Sequence, residues 1–409
     1  RGRAAIWADC GMGKTPMQLV WAENVVRHEA RPVLILAPLS VSQQTVEAAA
    51  KFDIEAVRVM DGKHSGSRII VTNYERLHYF NPADFAGVVC DESSIMKNFD
   101  GSRKTEITEF MKKVKFRLLC TATAAPNDYI ELGTSSEALG YLGYMDMLST
   151  FFKNDEDSLH PAFIGSKWRF KPHAERDFWR WMASWARACR KPSDLVFDDG
   201  LFVLPQLIET EAVTESPVPE GQMFHFPAQG LTEQREDTRA TINERCEAAG
   251  EWLSGRPSGI AWCHLNAEAD LLERLIPGAV QISGSDTDER KEEVFSAFRH
   301  GQIGKLVTKP RIAAYGMNWQ HCADMSYFAS HSFEQYYQAV RRCWRFGQTK
   351  PVNVRMFTSS SQTGVLGNLQ RKSDACDVMF TQLVAEMMNA INIDRLKVFD
   401  QKEKVPSWL

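Results

Sequence analysis

Residues 8–15 read Ala8-Asp9-Cys10-Gly11-Met12-Gly13-Lys14-Thr15, and this stretch decides the fold. It follows an apolar run, AAIWA (4–8), and precedes a segment of helical pattern, MQLVWAENVV (17–26). A strand, a glycine-bearing turn and a helix form the context that a phosphate-binding loop requires. Glycines let backbone N–H groups turn toward phosphate oxygens, and the helix N-terminus adds its positive end. Gly11, Met12 and Gly13 would cradle the phosphates, Lys14 would reach the β- and γ-phosphates, and Thr15 would ligate Mg2+. ATP and Mg2+ are therefore the expected cofactors. The loop departs from the general pattern at its start, where Ala8 stands in place of a glycine.

Outward from this loop, short apolar runs alternate with amphipathic or turn-rich segments: PVLILAP (32–38), RIIVTNY (68–74), GVVCDE (87–92) and FRLLCTAT (116–123). Continuous, β-branched runs flanked by helical patterns predict a buried parallel sheet. The rhythm returns after about residue 240 in SGIAWCH (258–264), AVQISG (279–284), KLVTKP (305–310), DMSYFAS (324–330) and VNVRMF (352–357). Two α/β lobes follow, over 1–135 and 236–409. Residues 136–205 read as a helical, basic and aromatic extension of the first lobe, and 206–235 as the connection between lobes, with room for one or two strands.

Composition excludes several classes. The 409 residues are 44% hydrophobic and 24% charged, which is ordinary for a globular protein. No apolar stretch reaches about 18 residues, so no membrane span is expected. Nine cysteines lie scattered without a CxxC pair, which argues against a zinc site and for a reducing cytoplasm. The histidines show no metal-ligand spacing. Net charge is −4, so global charge gives no sign of nucleic-acid binding. There is no initiating Met, and adenine-contacting elements are expected upstream. The basic charge that exists is local: His160 to Lys191 holds eight Lys or Arg against Glu175 and Asp177, with Trp168, Trp179, Trp181 and Trp185 interleaved.

Two further motifs carry chemistry. Val88-Val89-Cys90-Asp91-Glu92 is a hydrophobic strand ending in two carboxylates. Alone it reads equally as a solvated strand end. Downstream of a phosphate loop, Asp91 would hold Mg2+ and Glu92 would orient the attacking water. In Gln338-Ala339-Val340-Arg341-Arg342-Cys343-Trp344-Arg345-Phe346-Gly347-Gln348, Arg342 and Arg345 have the spacing of one helical face. They suit arginine fingers that meet a γ-phosphate when lobes close, although in isolation they read as a basic solvated helix.

In this order and spacing, GMGKT, DESSIMKN and QAVRRCWRFGQ resemble motifs I, II and VI of superfamily 2 helicases, and of the SWI/SNF family of DNA translocases in particular. LILAPLSVSQQTVEAAAKF (34–52), IIVTNYERL (69–77), LLCTATAAPNDYIEL (118–132) and TKPRIAAYGMNWQ (308–320) resemble motifs Ia, Ib, III and V. The resemblance covers roughly residues 4–357. It implies two tandem RecA-like lobes, with a helical aromatic-rich insertion between them, that bind ATP and Mg2+. It implies that Thr121 and Thr123 couple the nucleotide site to DNA, and that Gly316 and Gln348 approach the nucleotide. It places Pro38, Ser40, Thr72 and Asn73 against a nucleic-acid strand, through phosphate contacts without sequence preference.

The chain departs from the family at Arg341, Ser94 and Ala125, where Asp, His and a bulkier residue are usual. The lobe-connecting region has no room for large insertions, so the resemblance points to a compact prokaryotic or bacteriophage relative. The expected function is a nucleic-acid-stimulated ATPase, a monomeric motor translocating on duplex DNA, with single strands or RNA as other possible tracks. A strand-separating DNA or RNA helicase is the alternative within the class, and a P-loop enzyme such as a small-molecule kinase is the alternative outside it. A second-lobe arginine motif disfavours the latter. Intact Lys14, Asp91, Glu92, Arg342 and Arg345 disfavour a binding module with a decayed ATPase. Phe178, Trp181, Met182 and Trp185 fall at i, i+3, i+4 and i+7, the pattern of a core-facing stripe. Arg176, Arg180 and Arg187 lie off it, and would line a DNA path or form a solvated face.

Overall fold

The computed structural model describes residues 2–64, 66–97, 101–125, 128–154, 168–215, 231–313, 317–330 and 332–394. The chain forms two compact units. One comprises residues up to Asp199 together with the chain from Ala375 onward; the other is Gly200–Asp374.

The strands of the first unit are β1 Arg3–Ala8, β2 Val33–Ala37, β3 Val57–Arg58, β4 Ile69–Asn73, β5 Gly87–Asp91, β6 Phe116–Thr121, β7 Phe152–Asn154, β8 Trp168–Phe170 and β9 Ala186–Cys189. Its helices are α1 Lys14–Glu29, α2 Leu39–Lys51, α3 Ser102–Lys112, α4 Leu132–Leu139, α5 Tyr144–Phe151 and α6 Ala174–Trp185. Seven strands make one sheet in the order β3-β4-β2-β5-β6-β1-β9, with every pairing parallel. The order is RecA-like: β6 lies between β1, which carries the phosphate loop, and β5, which carries Asp91. Every residue of β2, β4 and β5 is buried. Both faces of these strands are covered, which is why their sequences are continuously apolar rather than alternating. Leu19, Ala22, Val25 and Val26 of α1 pack against Val33, Ile35, Val71 and Val89 of the sheet.

The aromatic helix is core, as its stripe predicts. Phe178, Met182 and Trp185 are buried, and so is Trp179, while Trp181 is half-buried. Phe178 meets Phe152 and Phe170 of the antiparallel β7–β8 hairpin with centroids at 5.4 and 5.2 Å. Trp185 meets Trp7 edge-on at 5.6 Å and stacks on Tyr141 at 5.5 Å. Of the arginines off the stripe, Arg176 pairs with Glu386 at 3.6 Å, Arg180 is exposed, and Arg187 donates to the Ala186 carbonyl at 3.0 Å.

The second unit contains β10 Leu207–Thr214, β11 Gly259–Trp262, β12 Ala279–Gln281, β13 Lys305–Thr308, β14 Asp324–Phe328 and β15 Val352–Ser359. Its helices are α7 Leu231–Ala240, α8 Ile242–Ser254, α9 Asn266–Leu275, α10 Asp288–Arg299, α11 Pro310–Ala313 and α12 Phe333–Val340, and α13 Thr363–Asp394 begins here. The sheet order is β10-β15-β14-β11-β13-β12, again wholly parallel. Arg245 and Glu268, each 1% exposed, form an ion pair at 3.1 Å beneath it. The second oxygen of Glu268 accepts from the N–H groups of His264 and Leu265 at 2.9 and 3.0 Å, fixing the start of α9.

Two boundaries differ from the sequence expectation. Residues 207–214 of the expected connection are a full strand of the second sheet, paired with β15 along its length. Residues 375–394, expected with the second lobe, pack with the first unit. There Arg190 bonds Asp377 at 2.7 Å and covers the Phe380 ring at 4.5 Å, and the Tyr129 hydroxyl donates to the Ala375 carbonyl at 3.0 Å.

Candidate nucleotide site at the carboxyl edge of the first sheet

Parallel strands present their carboxyl ends on one edge, where ligands of such sheets bind. β1 runs into the phosphate loop there, β5 ends at Asp91 and β6 at Thr121. Register aligns them: Trp7 pairs with Thr121, and Asp91 with Cys120. Gly11 and Gly13 have φ of 90° and 80°, left-handed values that glycine adopts without steric cost. Gly13 caps α1, so the helix starts at Lys14 with Thr15 as its second residue. The Lys14 ammonium donates to the Ala8 carbonyl at 2.9 Å and the Asp9 carbonyl at 3.4 Å. Asp9 organises the turn. Its Oδ1 accepts from the Cys10 N–H at 2.6 Å, and its carbonyl from the Met12 N–H at 3.2 Å. Its own N–H donates to the Cys189 carbonyl at 2.9 Å, tying the loop to β9.

Asp91 and Glu92 are 5% and 8% exposed. Asp91 ends its strand in extended backbone, whereas Glu92 has φ 51° and ψ 52° and opens a 3-10 turn over Ser93–Met96. That change of backbone separates two adjacent carboxylates. Asp91 Oδ1 accepts from Gln18 Nε2 at 2.6 Å, and Glu92 Oε2 accepts from the Thr121 hydroxyl at 3.4 Å. The Thr121 hydroxyl in turn accepts from the Thr123 N–H at 3.0 Å. The buried Tyr74 hydroxyl donates to the Asp91 backbone carbonyl. Burial, and then the Glu92 charge, push the Asp91 carboxyl up to about 6; the Gln18 hydrogen bond and the Lys14 charge act the other way.

The residues present fit Mg2+. Among the described residues no cluster of three or more His, Cys, Asp or Glu could hold a metal by itself. Mg2+ in phosphoryl-transfer sites does not use such a cluster: it takes one or two carboxylates, substrate phosphates and water. Asp91 and the Thr15 hydroxyl are hard oxygens of that kind. Gln18 Oε1, Ser93 Oγ and Thr123 Oγ1 are buried oxygens without a hydrogen-bond partner.

Not every expected residue lies where the sequence placed it. Pro38 is the N-cap of α2 at the same sheet edge. The side chain of Ser40 and all of Gly316 lie outside the described residues. Thr72 and Asn73 reach that edge too, but they are 0% and 4% exposed. Thr72 Oγ1 and Asn73 Oδ1 are buried there without a hydrogen-bond partner.

In the second unit, α12 ends at Val340, and Arg341–Arg345 run through turns rather than a helical face. Turns nonetheless bring the two arginines together: both guanidiniums donate to the Met317 carbonyl at 3.2 Å. Arg342, 2% exposed, also donates to the Gln338 carbonyl at 2.9 Å and to Gln338 Oε1 at 2.8 Å. It clamps the motif V segment to the motif VI segment. Arg345 is half-buried. Gln348 is a staple within its own unit. Its amide donates to the Cys322 and Cys343 carbonyls at 3.0 and 3.2 Å, and its oxygen accepts from the N–H groups of Thr349 and Lys350 at 3.0 Å each. Arg341 stacks between Tyr337 and Trp344, at 5.3 and 4.5 Å from their ring centres. Gln18, Tyr74 and β9 were not singled out from the sequence. Gln18 is legible in hindsight, because it lies one helical turn beyond Lys14.

No protein-family model matches the chain. A curated protein, the putative protein p41 of Acyrthosiphon pisum secondary endosymbiont phage 1, is 27% identical over 155 residues, covering 32% of this chain. The match spans 34% of that protein's length, about a third. Among solved structures, the Sulfolobus solfataricus SWI2/SNF2 ATPase core in complex with dsDNA is similar. It is 16% identical, with a TM-score of 0.42, over 93% of this chain and 89% of that one. Among the described residues no helix is long and apolar enough to cross a membrane.

Two measurements follow from the geometry. In the metal-free protein Asp91 carries a raised folded-state pKa, so the folded state holds the extra proton between pH of about 4 and 6 and loses stability as pH rises through that window. Asp91→Asn should therefore stabilise the protein in EDTA at pH 8, by on the order of 1–3 kcal/mol, and leave it unchanged below pH 4 in urea unfolding. Arg342→Ala removes the donor from the Gln338 carbonyl and Gln338 Oε1 while the Met317 carbonyl keeps Arg345, and should destabilise the second unit by about 1–3 kcal/mol, whereas Arg345→Ala should cost less than about 1.5 kcal/mol.

Proposed function

We propose that this chain is a nucleic-acid-stimulated ATP hydrolase of the SWI/SNF-like superfamily 2 type that translocates on duplex DNA. One observation carries the reading. The phosphate loop, the Asp91–Glu92 pair and Thr121, far apart in sequence, end on one edge of a parallel sheet in register. Backbone N–H groups of Gly11, Met12 and Gly13 receive the phosphates, and Lys14 leaves its carbonyl partners to bridge the β- and γ-phosphates. Asp91 and Thr15 would hold Mg2+, which when bound would supply positive charge against the phosphates. Glu92 orients the water and takes its proton, and Thr121 fixes the Glu92 carboxylate. Arg342 and Arg345, whose guanidiniums share the Met317 carbonyl, would act on the γ-phosphate.

DNA as the track is supported by the resemblance of motifs Ia, Ib and VI. Its contacts are to phosphates, so affinity falls steeply with salt and sequence preference is weak.

The test is ATP turnover alone and with single-stranded DNA, duplex DNA and RNA, for the wild type and Lys14→Ala. Duplex DNA should stimulate most, equally for two unrelated sequences, and Lys14→Ala should abolish turnover. Near-normal turnover in Lys14→Ala would sink the assignment, and stimulation by RNA above duplex DNA would favour an RNA helicase.

A further inference from the structure

Gln18 lies one turn beyond Lys14 on α1, the helix that opens at the phosphate loop. It is 0% exposed. Its amide Nε2 donates to Asp91 Oδ1 at 2.6 Å. That leaves Oε1 inside the protein with no hydrogen-bond partner. A buried amide with one bond made and one unmet is poor packing material, and an aliphatic side chain of the same length would fill the space without the unmet acceptor. The arrangement is economical only where something else supplies the second bond.

We propose that Gln18 is the positioning residue of the metal site, holding Asp91 through Nε2 and accepting from a water of the bound ion through Oε1. This rests on the ATPase reading above. Lys14 and Gln18 share one helix, so a single rigid element sets both the cation that meets the phosphates and the amide that aims the carboxylate. The Asp91 carboxylate needs such a guide. It terminates a strand, and the residue after it turns away into the left-handed region. On its other side the backbone carbonyl is held by Tyr74, so side chain and main chain of Asp91 are anchored from two different elements.

The experiment follows binding of a fluorescent ATP analogue while Mg2+ is titrated, and again in EDTA, for the wild type, Gln18→Met and Gln18→Asn. Methionine keeps the length and removes both polar atoms. Asparagine keeps the amide on a side chain one carbon shorter, and also reports if the methionine variant does not fold. Outer-shell partners typically set metal affinity by about 10- to 100-fold, so the Mg2+ midpoint should rise by that factor in both variants while affinity in EDTA changes by less than about twofold. An unchanged Mg2+ midpoint in a folded variant overturns the proposal. So does a loss of affinity in EDTA as large as the loss with Mg2+, which would mark Gln18 as packing alone. A wild type whose nucleotide binding ignores Mg2+ would overturn the ATPase reading itself, and the assignment with it; that result is distinct because it appears before any substitution.

Discussion

Two neighbouring carboxylates, Asp91 and Glu92, have to be kept inside the first unit without sharing a proton or an orientation. Burial raises the cost of charge on Asp91, and the neighbouring Glu92 raises it further. The backbone resolves the conflict. One residue is strand and the next is left-handed, so the side chains diverge: one toward the amide of α1, the other toward the hydroxyl at the end of β6. A left-handed non-glycine residue is uncommon and costs energy, and here it is set where it turns two adjacent carboxylates toward different partners. The sheet order serves the same end. With β6 between β1 and β5, Thr121 stands between the phosphate loop and the carboxylates.

Most of this was legible because parallel strands buried on both faces write themselves as apolar runs. The runs at 33–37, 69–73, 87–91 and 116–121 became β2, β4, β5 and β6, and those after residue 240 became β11 to β15. What stayed hidden has physical reasons. β9 is four residues, ARAC, entered from α6 without a turn residue, so nothing marks where helix becomes strand. β10, in the crossing where one or two strands were expected, is an edge strand with a solvated side, so its bounds were not marked by a continuous apolar run. Its acids have partners that no local pattern announces, such as Tyr336 for Glu209 and Thr358 for Glu211. Thr72 and Asn73 lie at the sheet edge as expected, and their burial there was not legible from the motif.

The arginine motif of the second unit teaches a similar lesson. A spacing of three suggested a helix face, yet the helix stops at Val340, and two turns deliver both guanidiniums to one carbonyl. Arg342 and Gln348 are held so fully by backbone carbonyls that their first duty is to weld the segments around Trp319, Cys322 and Cys343 into one piece. Arg341 is accommodated by aromatic stacking. A motif can thus hold its outline while its residues divide between architecture and chemistry.

The central claim is that Asp91 holds and Glu92 works. Glu92→Gln tests it most directly, because the amide keeps the shape and the Asp91 carboxylate is untouched. Binding of MgATP and its hydrolysis should be measured side by side on this variant in the presence of duplex DNA. The account predicts binding as in the wild type, with hydrolysis lowered by about 10²–10⁴-fold, the contribution of a positioned base. Hydrolysis that survives the substitution, or binding that falls together with it, would contradict the division of labour between the two carboxylates.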